Sequence, residues 1–260
     1  MLTFTMIVLS VCLIAVTYVF LVMPRATDGA DMDLQSSDYA DGGIFGKAHK
    51  RGSIEAIREA RDLGFGVALD VGISRDGVIF VLPTVNADIT SSDGAAVAGG
   101  IYRLPTLGDV LSLLDGQVPL LIRVEAEDER ERHALCKQLS TLLDSYSGAF
   151  AIRSSDVKVL TFFKKYRPRY ARGVIVSKND KRGSSLVRFL RRHMFTNLLT
   201  RPDFITIDGR MMREPAFLLA TKVFRRRGFA FTVRTEKQYE LCKSRGIYAI
   251  FENVIPQYRK

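Results

Sequence analysis

The stretch from Ser53 to Val81 limits the possible folds of this chain more than any other. After Ser53, a residue type that caps helices, apolar residues recur at helical spacing until Gly64, where a helix would stop. A short apolar run from Phe65 to Val71 follows and carries one acid, Asp70, near its end. This pattern is typical of a helix followed by a buried parallel strand with a polar residue at its carboxyl end.

The same alternation of helix and strand continues to the end of the chain. Turn residues at 74–77 and a strand from Val78 to Leu82 predict a hairpin, and residues 86–102 have the composition of a long loop. Counting a first strand near Tyr39, eight strands form the main series, and predicted helices include 184–199 and 214–227. Helix-separated strands favour a parallel sheet, so we expect a TIM (β/α)8 barrel over residues 38–260, with an open doubly wound sheet as the alternative.

The segment from Leu2 to Met23 contains no charged residue and is long enough to cross a bilayer as one helix. A cleaved signal peptide is the alternative, but the basic start and the small-x-small site of such peptides are absent. We therefore expect residues 1–24 to form a single-pass membrane anchor and residues 25–37 to form a polar linker. The few flanking charges do not specify which side of the membrane holds the barrel.

The chain carries a net charge of +10 and has an isoelectric point of about 9.6. This balance predicts either an anionic partner, such as membrane lipid or a phosphate ester, or a solvated basic surface. Several basic clusters fall at the ends of predicted helices, where cations complement the helix dipole. We find no nucleic-acid-binding module, Walker loop, dinucleotide-binding glycine pattern or zinc spacing, so nucleic acid is not an expected partner. The three cysteines indicate no disulfide or metal pairing.

Three segments in fixed order connect this sequence with a known family: ALDV at 68–71, RDGVIFV at 75–81 and LPTLGDVL at 104–111. With them, residues 53–125 resemble the glycerophosphodiester phosphodiesterase domain of the phospholipase C-like phosphodiesterase superfamily. The resemblance implies a TIM barrel that cleaves glycerophosphodiesters, with two histidines as acid and base and with carboxylates around a divalent metal such as Ca²⁺ or Mg²⁺.

Most of the catalytic positions that the resemblance implies have changed. The first histidine falls on Asp41, a metal-binding glutamate falls on Arg51, and the second histidine falls on Leu82–Pro83. A competing alignment places His49 at the first histidine position, although a solvated loop residue is the simpler interpretation. Asp41 and His49 are therefore the candidate catalytic residues.

The remaining family motifs keep some carboxylates but reverse other charges. The Glu-Leu-Asp motif becomes Ala68-Leu69-Asp70, and the later Glu-Ile-Lys motif becomes Arg123-Val124-Glu125. Asp70 and Glu125 are candidate metal ligands, or else they form ion pairs, Asp70 with Arg51 or Arg123 and Glu125 with Arg123. Arg51 and Arg123, which stand where the family has carboxylates, are candidate phosphate-binding residues.

The sequence thus predicts a membrane-anchored barrel with a degenerate site that binds a phosphodiester or a phospholipid headgroup with little hydrolysis. The first alternative is an active, metal-dependent phosphodiesterase that releases glycerol 3-phosphate and an alcohol. The second is a membrane-tethered scaffold for protein partners, which the sequence does not identify.

Overall fold

Eight parallel strands close into a ring, because the first strand pairs with the second on one side and with the last on the other. The computed structural model describes residues 1–25, 34, 38–83, 91–92, 95–96, 104–180 and 183–256. The strands are β1 (Tyr39–Asp41), β2 (Gly66–Ile73), β3 (Ile79–Leu82), β4 (Ser91–Ser92), β5 (Ala95–Ala96), β6 (Leu120–Val124), β7 (Phe150–Ser154), β8 (Ala171–Val176), β9 (Phe204–Asp208), β10 (Arg227–Val233) and β11 (Tyr248–Phe251).

The predicted TIM barrel is confirmed, and the alternative of an open sheet is wrong. β3 stands outside the ring as an antiparallel hairpin partner of β2, as expected, and β4 and β5 form a separate two-stranded ladder. This ladder lies within the predicted loop at 86–102, the rest of which falls outside the described residues. Most of the predicted linker, residues 26–33 and 35–37, also falls outside them.

Helices cover the outside of the ring. They are α1 (Leu2–Val22), α2 (Ile54–Asp62), α3 (Leu107–Leu114), α4 (Glu129–Asp144), α5 (Val157–Tyr166), α6 (Ser185–Arg192), α7 (Asn197–Thr200), α8 (Pro215–Leu218) and α9 (Glu236–Ser244). Ser53 caps α2 as predicted, with its hydroxyl accepting a hydrogen bond from Ala56 N at 3.2 Å. Capping satisfies backbone N–H groups that a helix start otherwise leaves without a partner.

Two predicted helices are wrong in extent. The helix expected at 184–199 is divided into α6 and α7, because Met194 between them adopts a left-handed φ of 58°. The helix expected at 214–227 consists of α8 and a π-helical segment at Leu219–Val223. Arg225 then adopts a φ of 52°, and β10 begins at Arg227. Apolar periodicity does not reveal either break, since both depend on backbone geometry at one residue.

The inside of the ring is filled by one apolar side chain from each strand, while a larger apolar layer joins the ring to its helices. The interior set comprises Tyr39, Ala68, Leu121, Ala151, Ala171, Phe204, Phe229 and Ile250. Because side chains alternate across a strand, the residues two positions further along also point inward, toward the carboxyl ends of the strands. That end of the barrel is its mouth, where the site residues predicted from the sequence meet.

α1 is long and apolar enough to cross a membrane, and almost all of its surface is exposed. Among the described residues, its carboxyl end is the part that packs on the barrel, beside α7 and the π-helical segment. The Asn197 side chain donates to Val22 O at 3.0 Å, Arg201 donates to Met23 O at 3.2 Å, and Arg201 also lies over the Phe20 ring. The backbone of Arg25 then donates to Pro202 O at 3.0 Å. The apolar helix is therefore held against the barrel at its last turn.

Asp38 is the residue that ties β1 into the ring. Its carbonyl accepts a hydrogen bond from Gly66 N of β2 at 3.0 Å, and its buried carboxylate accepts one from Ala249 N of β11 at 2.9 Å. The same carboxylate accepts from the Tyr239 hydroxyl at 2.6 Å and lies 3.0 Å from Lys243 Nζ. One acid thus fixes the short strand to both neighbours and to α9.

We predict that Asp38→Ala lowers the free energy of unfolding by about 2–4 kcal/mol, because it leaves a buried hydroxyl and a buried amide without an acceptor. Urea unfolding of the protein in mild detergent, followed by circular dichroism, measures this change. Tyr239→Phe, which removes one of the hydrogen bonds, is the matched control and should cost about 1 kcal/mol. Equal losses in the two variants would contradict the assigned role of Asp38.

Candidate functional site

Charged side chains line part of the mouth. On β1, β2, β6 and β7 they occupy the next inward-facing position, two residues beyond the apolar residue that fills the inside of the ring. Asp70, Arg123 and Arg153 occupy aligned positions in β2, β6 and β7, since Asp70 pairs in register with Arg123, and Arg123 with Arg153. Asp41 holds the equivalent place at the end of β1. The next inward positions on β8, β9 and β10 are the uncharged Gly173, Thr206 and Phe231, whereas the position that follows β11 is the acid Glu252, which pairs with Arg234 at 2.7 Å.

The loop after β1 brings Arg51 over Asp41. Gly42 N donates to Ala68 O at 2.7 Å, and Gly52 N donates to Gly42 O at 2.8 Å, so the loop closes on itself directly above the strand end. Gly42 has a φ of 76°, and a Cβ there would lie 2.5 Å from Arg51 Cγ. Glycine therefore serves two needs at this position, the left-handed backbone and the space that the arginine side chain crosses.

The acids and arginines at the mouth form a connected ionic cluster. Arg51 Nη2 lies 3.0 Å from Asp41 Oδ1 and 3.6 Å from Asp70 Oδ2, and Arg153 Nη2 lies 3.7 Å from Asp41 Oδ1. Arg51 Nη1 also donates to Pro83 O, at the place where the family resemblance puts its second histidine. The structure thus brings together Asp41, Asp70 and Arg51 and adds an arginine that the sequence interpretation did not include.

Arg153 is the residue of the candidate site that the sequence analysis did not identify. The apolar run at 149–152 predicts a strand that ends two residues before Ser154, the observed end of β7, and this prediction leaves Arg153 in a loop. Its side chain is 3% exposed, and its Nε has no hydrogen-bond partner among the described residues. A signal was present in the sequence, because Ala151-Ile152-Arg153 repeats the pattern of Leu121-Ile122-Arg123 on the preceding barrel strand.

The candidate residues Arg123 and Glu125 form a local pair at the end of β6. Arg123 Nε lies 3.4 Å from Glu125 Oε1, and the same oxygen accepts hydrogen bonds from Ser155 N at 3.0 Å and Ser155 Oγ at 2.7 Å. Glu125 therefore secures the turn after β7. The Arg123 side chain is 21% exposed, so part of its guanidinium still reaches solvent at the mouth.

The structure does not bring His49 into this cluster. Its Nε2 lies 3.6 Å from Glu59 Oε2 of α2, on the outer side of the loop, and its backbone carbonyl accepts from Gly46 N. The geometry thus places this catalytic candidate beside a surface carboxylate. Of the two catalytic candidates, Asp41 alone belongs to the ionic cluster at the mouth.

Burial and neighbouring charge act against each other on the cluster's ionisable groups. Burial, followed by repulsion from Asp41, raises the pKa of Asp70, and the nearby arginines only partly offset the rise. Burial likewise lowers the pKa of Arg153. For Arg51, burial lowers the pKa, but the carboxylates around it, Asp41 first, outweigh burial and raise it above its ordinary value. Asp70 therefore takes up a proton more readily than an ordinary aspartate, because its pKa is raised.

The residues at the mouth do not fit a divalent metal. Such a cation needs several oxygen ligands, and no group of three His, Cys, Asp or Glu in the described part of the chain is arranged to hold one. Arg51 and Arg153 instead lie against the carboxylates that a metal would use, and Glu125 is engaged with Ser155. Asp70 and Glu125, the metal ligands suggested by the resemblance, face guanidinium groups.

A separate hollow of about 330 Å³ lies at the opposite, amino-terminal end of the barrel. It is lined by Leu143, Asp144, Tyr146, Gly148, Phe150, Arg169, Tyr170 and Ala171. Asp144 there accepts hydrogen bonds from Arg167 and from the Tyr170 hydroxyl, so the polar groups of this hollow bind each other. The charged cluster at the mouth remains the candidate functional site.

No family model and no curated protein matches the sequence, but solved structures share its fold. The Oleispira antarctica phosphodiesterase, solved with its product sn-glycerol-3-phosphate, has a TM-score of 0.63 at 17% identity, covering 84% of this chain and 93% of that one. A Parabacteroides distasonis glycerophosphodiester phosphodiesterase gives 0.63 at 16%, covering 84% and 94%. The Agrobacterium tumefaciens glycerophosphodiester phosphodiesterase gives 0.55 at 15%, covering 84% and 95%.

These likenesses extend over nearly the whole of each solved chain. The chain therefore shares the TIM-barrel fold of these solved phosphodiesterases, which is the fold that the sequence resemblance implied. Identities of this size establish the fold, and what the mouth does has to follow from its own residues.

We predict that Asp70→Asn removes part of the pH dependence of stability. Because the folded-state pKa of Asp70 is raised above 3.8, the folded protein binds more protons than the unfolded chain between that value and the raised pKa. The contribution of Asp70 to stability therefore declines as pH rises through this window. Asparagine does not titrate, so its profile should be flatter there.

Urea unfolding midpoints measured across the acidic range test this expectation, with Asp62→Asn as the control. Asp62 is an exposed acid on α2, paired with Arg61. Parallel profiles for Asp70→Asn and the unmodified protein would contradict the raised pKa of Asp70.

Proposed function

We propose that this protein is a membrane-anchored, phosphodiesterase-like barrel that binds a phosphodiester or a phospholipid headgroup at its mouth and hydrolyses it little or not at all. One observation carries the proposal: Arg51, Arg123 and Arg153 converge at the carboxyl ends of the strands, where TIM barrels hold their ligands. This proposal makes the protein a binding relative of an enzyme family in lipid metabolism, that is, a pseudoenzyme.

Guanidinium groups suit a phosphodiester because their planar N–H donors match two phosphate oxygens at once. Arg123 and Arg153 lie side by side on neighbouring strands, with Arg153 buried and Arg123 partly open to solvent. A phosphate entering the mouth would meet Arg123 first and the free Nε edge of Arg153 below it. Gly173, Thr206 and Phe231 would face the organic part of the ester.

Charge balance also supports anion binding. Asp41 and Asp70 neutralise part of the positive charge, but the raised pKa of Asp70 makes its neutral form accessible. A bound anion would raise that pKa further and favour proton uptake, which leaves the arginines in excess over the carboxylates. Low local dielectric then strengthens each charge-assisted hydrogen bond to the phosphate.

Weak hydrolysis is expected because the site offers little of the required chemistry. One well-placed acid–base group typically supplies about 10²–10⁴ in rate, and the two histidine positions of the family correspond here to Asp41 and to Leu82–Pro83. The arginine cluster also occupies the place of a metal that would stabilise developing charge. What the residues retain is the means to hold a phosphate.

The membrane part of the proposal rests on α1. This helix is uncharged, exposed along its length and clamped to the barrel at its carboxyl end. A helix with these properties is stable in a lipid environment and unfavourable in water. A single-pass anchor accounts for both its length and its exposure.

We predict that full-length protein in detergent binds glycerophosphocholine without measurable turnover, even with Ca²⁺ or Mg²⁺ added. Arg123→Ala and Arg153→Lys should each weaken binding at least about tenfold, since a charge-assisted or bidentate contact is lost. Calorimetry measures the affinity and release of glycerol 3-phosphate measures the turnover.

Arg167→Ala is the matched control for this experiment, because it removes one positive charge near the amino-terminal end of the barrel, where Arg167 pairs with Asp144. Metal-dependent turnover that Asp70→Ala abolishes would replace the proposal with an active phosphodiesterase. If the unmodified protein does not bind glycerophosphocholine, the remaining function is that of a membrane-tethered scaffold.

We also predict that the full-length protein stays with membranes during alkaline carbonate extraction, because peripheral contacts are broken by this treatment and a spanning helix is not. Immunoblotting of the pellet and supernatant detects the intact chain. Recovery of full-length protein in the supernatant would show that α1 does not anchor it.

A further inference from the structure

The surface helix α6 exposes an apolar face to solvent. No residue of α6 is buried, and its apolar side chains Leu186, Val187 and Phe189 are 66%, 41% and 51% exposed. Within the same helix, Arg191 pairs with Asp180 at 3.0 Å and is only 12% exposed. A surface helix normally buries its apolar face, so this arrangement indicates that another apolar phase covers α6.

The exposed face of α6 is joined to the end of α1 by aromatic contacts. The Phe189 ring lies 6.0 Å from the Phe195 ring, and Phe195 lies edge-on to Tyr18 of α1 at 5.7 Å. One turn further along α1, Asn197 holds Val22 O. The apolar surface of α6 is therefore continuous with the place where α1 meets the barrel.

We infer that α6 lies in the lipid–water interface of the membrane that α1 spans, with Leu186, Val187 and Phe189 inserted at the boundary of headgroups and acyl chains. This inference rests on the anchor in the proposed function. We choose lipid as the occupant of this face because the last turn of a spanning helix marks the level of the interface, and tyrosine side chains such as Tyr18 favour that level.

The charges around this face fit an anionic lipid surface. Arg192 of α6 is 50% exposed and lies 3.0 Å from Glu214. In the sequence, basic residues also precede or fall within α6, namely Lys178, Lys181, Arg182 and Arg188. A short helix with an apolar face and basic flanks is the usual form of an interfacial helix, and its binding strengthens with the anionic lipid content. α6 would thus be a second, peripheral membrane contact beside the spanning one.

The opposite wall of the barrel supplies a matched control. α2 lies between β1 and β2, which stand across the ring from β8 and β9, the strands that α6 connects. Leu63 at the end of α2 is a leucine with 46% exposure, comparable with Leu186. Cys136 and Cys242 are buried, so Cys12→Ala leaves no exposed cysteine to compete for a label.

The test uses full-length Cys12→Ala protein in phosphatidylcholine vesicles, with or without phosphatidylglycerol, and an environment-sensitive fluorophore on Leu186→Cys or Leu63→Cys. We expect the probe at position 186 to be blue-shifted and quenched several-fold more by nitroxide-labelled lipid than by aqueous iodide, with the reverse at position 63. The lipid quenching at position 186 should increase with phosphatidylglycerol and fall when Phe189→Glu is added.

Two other outcomes would overturn the inference. Iodide quenching at position 186 equal to that at position 63 would place α6 in water. Protection from both quenchers would indicate a second copy of this chain on that face. Carbonate extraction of the same vesicles distinguishes these results from a failure of the anchor. If the protein stays in the membrane while α6 is exposed to water, the inference about α6 is refuted and the anchor is not.

Discussion

The closure of the ring through a three-residue strand is the constraint on which the rest of the structure depends. β1 has to pair with β2 and β11 at once, and its few backbone hydrogen bonds leave little margin. Asp38 compensates by binding groups on both sides of the strand, in a buried position where hydrogen bonds are strong. Asp41 and the loop that carries Arg51 follow directly, so the geometry of the mouth depends on this closure.

The mouth of the barrel buries opposite charges without pairing all of them. Taking several ions out of water is costly unless attraction and hydrogen bonds compensate, and here Asp41, Asp70 and Arg153 each keep an atom without a hydrogen bond among the described residues. A stable core would not need such a cluster, because apolar residues could fill the same volume. An incompletely paired cluster at the ligand-binding end of a barrel is consistent with a site that a bound anion completes.

The sequence predicted the ring because strand composition and helix spacing are local properties, repeated eight times in the main series. It also located Asp41, Asp70, Arg51 and Arg123 at the mouth, since strand ends can be read from the pattern. It missed Arg153 because the predicted strand ended two residues too early, and it missed the break at Met194 because a single backbone dihedral is not encoded in periodicity. The sequence also did not predict which acid pairs with which arginine, because the pairing depends on the register of the barrel strands and on how the loop after β1 closes.

The contacts of Asn197 and Arg201 with the last turn of α1 have a mechanical consequence. A domain on a flexible tether rotates freely above a bilayer and meets its ligands from every direction. If α1 spans a membrane as we propose, a domain held at the last turn of that helix is joined stiffly to it and keeps a fixed tilt as it moves in the plane of the membrane. Encounters with lipids or soluble esters then depend on their direction of approach as well as on their concentration.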